Sequence, residues 1–251
     1  MNSLLSLQSI RNALARLDET IIFGLIERAQ FRQNRIIYRP DGVGRELGGE
    51  SLMGFLLHES ERSHAKVRRY TSPDEHAFFT GLPDPILPPL RSVNPLRPNT
   101  ININARIRSL YETKIVPLIC QPGDDMQWGS SAVNDVTLLQ ALSKRIHYGK
   151  FVAEAKFRVA RKILLPLVRS GDLSGILAAV TDRAVEAQVL RRVEAKAAAF
   201  GREFDAGRGQ HQIEPRVVHN VYARWIIPLN KEVQVQYLLA RERHPTREKH
   251  S

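Results

Sequence analysis

Apolar residues recur every three or four positions along most of this chain, the period of one helix face. The first stripe, Leu7, Ile10, Leu14, Leu17, Ile21 and Leu25, predicts a helix from about Ser3 to Ala29. A second helix is expected over Ser51–Arg69. A third is expected over Ile101–Cys120, on Ile103, Ile107, Leu110, Ile115 and Leu118. The longest run is Ser130–Ser170, where Val136, Leu139, Leu142, Ile146, Val152, Phe157, Val159, Ile163 and Leu164 repeat at helical spacing. Gly149 is its one glycine before Ser170, and no proline precedes Pro166. Taken as one helix to Pro166, it spans roughly 55 Å at about 1.5 Å per residue, so other helices should pack along it. Beyond it come a short helix at Asp172–Val180, then one over Asp182–Phe204 with Thr181 as its N-cap. The last covers about Glu214–Arg243 and carries Pro228 as a point for a kink. No segment alternates with period two. The prediction is an all-α, single-domain bundle over residues 1–243, built on the long helix and without a β-sheet.

Two segments stand outside this pattern. Thr71–Thr100 holds seven of the fourteen prolines and cannot be regular helix. Its Phe78, Phe79, Ile86 and Leu87 are expected to pack across the helices. The end of the chain, residues 244–251, is basic and reads as a solvated, disordered tail.

A hydrophobic share of 43% in 251 residues is enough for a full core. The formal charge of +11 brings nucleic acid, membrane surfaces and anionic metabolites into view. The positive charge is spread along the chain, which argues against a nucleic-acid partner, and no run approaches the ~18 apolar residues of a membrane span. A lone cysteine, Cys120, points to a reducing compartment and, at the end of an apolar run, to a buried, inert thiol. The N-terminus reads as an amphipathic helix, not a signal peptide, so the cytoplasm is expected. Its arginines and lack of early acids also fit an organelle transit peptide.

No metal site is expected. The eight histidines show no HExxH and no paired Cys/His spacing. Phosphate loops, nucleophile elbows and dinucleotide fingerprints are absent too. What the pattern offers is cations and donors. Arg145 and Lys156 lie close to three turns apart, so they share a face of the long helix. Gly149 lies between them and is expected to leave room for a small anion. Arg11 sits at the edge of the first apolar stripe. Asn230 and Gln234, one turn apart on an apolar face, are either an interhelical hydrogen bond or donors into a pocket. Asp182 and Glu186 are also one turn apart.

Four stretches, in order, carry a resemblance. LQSIRNALARLDETIIFGLIERAQF, KVRRYTSPDE, GSSAVNDVTLLQALSKRIHYGKFVAEAKF and PLNKEVQVQYLL resemble the all-helical chorismate mutases of fungi and plants. The likeness runs from about Leu4 to Leu239. It implies a homodimeric isomerase of phenylalanine and tyrosine biosynthesis that converts chorismate to prephenate without a cofactor. By that resemblance Arg11 and Arg145 hold the substrate carboxylates, Lys156 donates to the ether oxygen, and Glu186 accepts the substrate hydroxyl. Gln234 stands where fungal relatives often have glutamate; an amide donates at any pH. Asp182 replaces a usual asparagine and Asn230 a usual threonine at substrate-binding positions. Asn230 still has a donor to offer, while Asp182 needs Arg183 or another cation beside it.

The family also implies an effector site at the dimer interface, inhibited by tyrosine and activated by tryptophan. Arg68, Arg69, Gly129 and Ser130 match it; Val133, Met126 and Gln127 depart from it. The competing class is a non-catalytic helical protein that binds an anionic ligand or nucleic acid, supported only by the charge.

Overall fold

The computed structural model describes residues 6–90, 94–204 and 213–243. Eleven helices are named here in chain order: α1 Leu7–Ala29, α2 Leu52–Lys66, α3 Asn104–Leu110, α4 Val116–Ile119, α5 Trp128–His147, α6 Gly149–Val159, α7 Arg161–Ser170, α8 Leu173–Val180, α9 Arg183–Phe204, α10 Pro215–Val221 and α11 Ile227–Arg243. No strand occurs among the described residues. The fold class is all-α, as the periodicity predicts. Residue Ser3, most of the loop between α9 and α10, and the basic tail at 244–251 lie outside the described residues.

Local chemistry sets the helix ends. The Ser6 hydroxyl accepts from Ser9 N at 3.0 Å and opens α1; Ser51 does the same for α2 with Gly54 N at 3.1 Å. Asp182, not Thr181, caps α9, accepting from Val185 N at 3.1 Å. Thr181 instead turns its hydroxyl back onto the Leu177 carbonyl at 2.7 Å. Prolines explain two widened turns. α3 and α4 join through a π turn at Tyr111–Ile115, and α10 and α11 through another at Tyr222–Ile226. Pro117 and Pro228 follow each turn by two residues. A proline lacks the N–H and crowds the carbonyl four residues back; widening the turn relieves both. At Pro228 the helix therefore widens instead of breaking.

The long helix is not one rod to Pro166. α5 and α6 meet at Tyr148, which keeps helical angles (φ −58, ψ −13). Helical continuity ends at Ala160, where φ −111 and ψ 32 leave the helical region. α7 then turns away to pack on α8 and α11. Val159 and Ile163, placed by spacing in the apolar set, are 81% and 64% exposed at this bend.

α5 packs against α1 and α2, α1 also against α9, and α11 along α6. One apolar cluster gathers Leu25, Leu57, Tyr111, Leu139 and Tyr222; a second gathers Ile10, Phe151, Phe157, Ile176 and Tyr237. The proline-rich segment crosses the bundle. Phe78 and Phe79 pack on the first cluster, and their backbone N–H groups donate to the buried Glu61 carboxylate. Ile86 and Leu87 do not pack as expected; both are exposed. Next to Phe78, His76 stacks on His147 of α5 at 4.1 Å, and the Lys150 ammonium donates to His76 Nε2 and to the Ile101 carbonyl.

Candidate active site

A cavity of about 180 Å³ opens among α1, α6, α9 and α11. Arg11 enters from α1, Arg145 from α5, Lys156 from α6, Asp182 and Glu186 from the start of α9, and Asn230, Lys231 and Gln234 from α11. Leu7, Ile10, Leu14, Val152, Val180, Val185, Val189 and Ile227 supply its apolar wall. Among the described residues no serine, cysteine or histidine lines it. Four cations face two carboxylates, so the site is net positive and suited to a small dianion.

Each polar group is held differently. Arg145 is 4% exposed, and its Nε donates to Asp18 Oδ1 at 2.8 Å. Asp18 is fully buried, and its second oxygen accepts from Arg192 at 2.7 Å. Among the described residues no acceptor takes the terminal nitrogens of Arg145. Arg11 is exposed at the cavity edge and makes no hydrogen bond or ion pair to a described residue. Lys156 donates to the Val180 carbonyl. Burial lowers the Lys156 pKa; the carboxylates of Asp182 and Glu186 oppose that shift, and Arg11 and Lys231 add to it. Glu186 pairs with Lys231 at 3.0 Å. On α11, Asn230 donates to the carbonyls of Arg145 and Ile146, and Gln234 donates to Asn230 Oδ1 at 2.9 Å.

A family profile described as chorismate mutase type II matches residues 129–235, from the start of α5 into α11. A chorismate mutase of Schizosaccharomyces pombe is 43% identical over 246 residues, covering 96% of this chain and 98% of its own. The chain belongs to the chorismate mutase family. Chorismate mutase 1 of Petunia hybrida, named as chloroplastic, is 44% identical over 245 residues, covering 94% of this chain and 76% of its own. Among solved structures, the chorismate mutase of Candida albicans in complex with L-tryptophan superposes with a TM-score of 0.90 at 36% identity, over 98% of this chain and 95% of that one. A chorismate mutase with tyrosine bound in its allosteric site gives 0.88 at 42% identity, over 96% and 98%.

This chorismate mutase is an isomerase that rearranges chorismate to prephenate. The reaction runs within one molecule and needs no nucleophile, which agrees with a wall of cations, amides and apolar groups.

The cavity brings together all seven residues expected at the substrate: Arg11, Arg145, Lys156, Glu186, Gln234, Asp182 and Asn230. Two details differ from the expectations, and a third is narrowed to one of the alternatives. Gly149 does not leave room for an anion: a Cβ there would meet the Asn230 carbonyl oxygen at 2.5 Å, so the missing side chain is filled by α11. Asn230 has no donor left for a substrate, since its NH2 group serves two backbone carbonyls. Asp182 is an exposed cap with no ion pair to Arg183; the cation whose charge it supports is Lys156.

The four effector positions do not converge within one chain. Arg69 is bound to Glu75, His64 and Gln140, and Arg68 to the Pro88 carbonyl. Gly129 and Ser130 are exposed in the first turn of α5. Gln140 lies ten residues beyond Ser130, so the arginine contact and the helix start are about 15 Å apart along the axis.

Sequence reasoning missed Asp18, Arg192 and Lys231. A signal existed for Asp18: it sits in the α1 stripe between Leu14 and Ile21, where a carboxylate must find a partner in the core. Lys231 follows Asn230 directly but faces Glu186 across helices, which spacing along one helix does not reveal. Cys120 is buried, and burial pushes its thiol up to about 12, as an inert cysteine requires. Among the described residues no group of three or more His, Cys, Asp and Glu is placed to hold a metal.

Proposed function

We propose that chorismate rearranges in this cavity, with Arg11 and Arg145 gripping its two carboxylates, Lys156 and Gln234 donating to the ether oxygen, and Glu186 accepting its hydroxyl. The observation that carries this reading is the Arg145 guanidinium: held through Nε by Asp18, it has its terminal nitrogens left to grip a carboxylate at the cavity. Two held carboxylates fold a flexible substrate into a near-attack shape. As the C–O bond breaks, negative charge gathers on the ether oxygen. An ammonium and an amide N–H already aimed there stabilise it without reorganising. Asp182 supports the protonated form of Lys156, so the aspartate serves the donor and does not touch the substrate. Loss of chorismate absorbance tests the reading: Arg145→Ala and Lys156→Ala should each lower kcat/KM by at least about a hundredfold. Turnover within a few-fold of the parent in both would sink it.

Control by aromatic amino acids belongs to the same proposal. Its support is the pair of relatives with tryptophan or tyrosine bound, and the match of Arg68, Arg69, Gly129 and Ser130 to the family's effector positions. Because those residues lie apart in one chain, a homodimer that brings two chains together is part of the reading. Turnover with added tyrosine or tryptophan, and mass by light scattering, test both: no response and a monomer would remove them. The cytoplasm is the compartment we assign, on the single unpaired, buried thiol of Cys120. Fractionation of cells tests it against a plastid-like organelle, the address of the Petunia relative.

A further inference from the structure

Two buried amides in the cavity wall determine each other's sense. Asn230 and Gln234 are 7% and 3% exposed. Asn230 Nδ2 donates to the Arg145 and Ile146 carbonyls at 3.2 and 3.1 Å. Those carbonyls lie in the last turn of α5, so two oxygens face the amide. Turned over, Asn230 would press its oxygen against two oxygens, so its nitrogen has one possible place. Its Oδ1 must then face Gln234, and it accepts from Gln234 Nε2 at 2.9 Å. Gln234 in turn cannot rotate without setting its own oxygen against Oδ1. It is left with one unspent N–H and a buried, unpartnered Oε1. The contact depends on close approach of α11 at Gly149, where a Cβ would also meet Asn230 Nδ2 at 3.2 Å.

We propose that Asn230 is a positioning residue: it sets the direction in which Gln234 presents its free N–H to the reacting substrate. This rests on Gln234 being a donor to the ether oxygen. It also predicts how a carboxyl behaves at that position. In Gln234→Glu the oxygen facing Asn230 Oδ1 must carry the proton, so the acid stays neutral to higher pH than usual and spends its proton on Asn230.

The experiment compares Asn230→Ala with Asn230 in two backgrounds. With Gln234 present, the freed amide should lower kcat about tenfold and leave KM within about twofold. Nitrogen-edited NMR of the unliganded protein should show the Gln234 side-chain NH2 losing its slowed exchange. In Gln234→Glu, kcat/KM should fall with rising pH, and Asn230→Ala should move that midpoint down by about one unit. Unchanged NH2 exchange together with an unmoved midpoint would overturn the proposal and leave Asn230 a structural residue. Gln234→Ala separates the failures: full turnover there removes Gln234 as a donor, while the NH2 exchange still reports on the lock. If Asn230→Ala does not fold, Asn230→Ser, whose hydroxyl is too short to bridge both neighbours, takes its place in the same comparison.

Discussion

Helices α1 and α5 are joined by two buried arginine–aspartate pairs that differ in one respect. Arg28 of α1 pairs with Asp135 of α5 at 2.7 Å, and Asp18 of α1 pairs with Arg145 of α5 at 2.8 Å. The partners are ten residues apart on each helix, so the antiparallel helices are braced twice, about 15 Å apart. At Arg28 every donor is spent. Beyond Asp135 it reaches the Arg32 and Gln33 carbonyls, Cys120 Sγ and Tyr38, while Tyr38 and Tyr111 both donate to Asp135. At Arg145 only Nε is spent among the described residues. Burial and pairing therefore do not separate a structural arginine from a functional one; the unspent donors do.

The largest effect should fall on the fully satisfied pair. Asp135→Ala leaves a buried guanidinium and two tyrosine hydroxyls without their acceptor. It should cost about 3–5 kcal/mol of stability, read as a lowered denaturant midpoint. The fraction that remains folded should turn over chorismate at close to the parent rate. The reverse profile is expected for Asp18→Asn. Arg192 loses one charged acceptor and Arg145 its orienting one, so kcat/KM should drop about tenfold or more while the unfolding midpoint moves less than in Asp135→Ala. If both variants lose stability and activity in the same proportion, the distinction between the pairs fails.

The smallest effect is in pH, and it separates scaffold from site. His147 and His76 anchor the proline-rich crossing segment on the face of α5 away from the cavity. Burial lowers His147 to about 4; burial, with His147 and Lys150 nearby, lowers His76 to about 2. Between those values and the ordinary 6.5 the unfolded chain binds more protons than the folded one. Stability should thus fall as pH drops below about 6.5, and melting temperatures measured from pH 7 down to 4 should show it. His147→Gln should flatten that slope. Turnover should fail on the other side. Lys156 must stay protonated to donate, and burial lowers its pKa below the ordinary 10.5, so kcat/KM should decline on an alkaline limb. Through neutrality no single ionisation should lower it, because Gln234 is an amide. Asp182→Asn should shift the alkaline limb to lower pH by under about one unit.

Helix positions and the shared face of Arg145 and Lys156 were legible from local spacing, because they depend on residues within a few turns; the one cap placed from sequence, Thr181, lay a residue short of the actual cap, Asp182. So were the candidates at the substrate, once the motifs around SKRIHYGKFVAEAKF were set beside the family. The bend at Ala160 was not, since nothing in the run from Phe157 to Leu164 interrupts the helical period. Nor were the partners of the site. Asp18, Arg192 and Lys231 meet their counterparts over 45 to 174 positions of chain, and spacing carries no information at that range.

Secondary structure and the chemical types of the site follow from the order of residues, because helix period, capping and charge are local properties. Which donors remain free is a property of packing. Asn230 and Gly149 show it: an amide that looked available is consumed by the end of α5, and a gap that looked open is closed by α11. Arg28 and Arg145 are the same residue on the same pair of helices, and only their surroundings leave one of them with hydrogen bonds still to make.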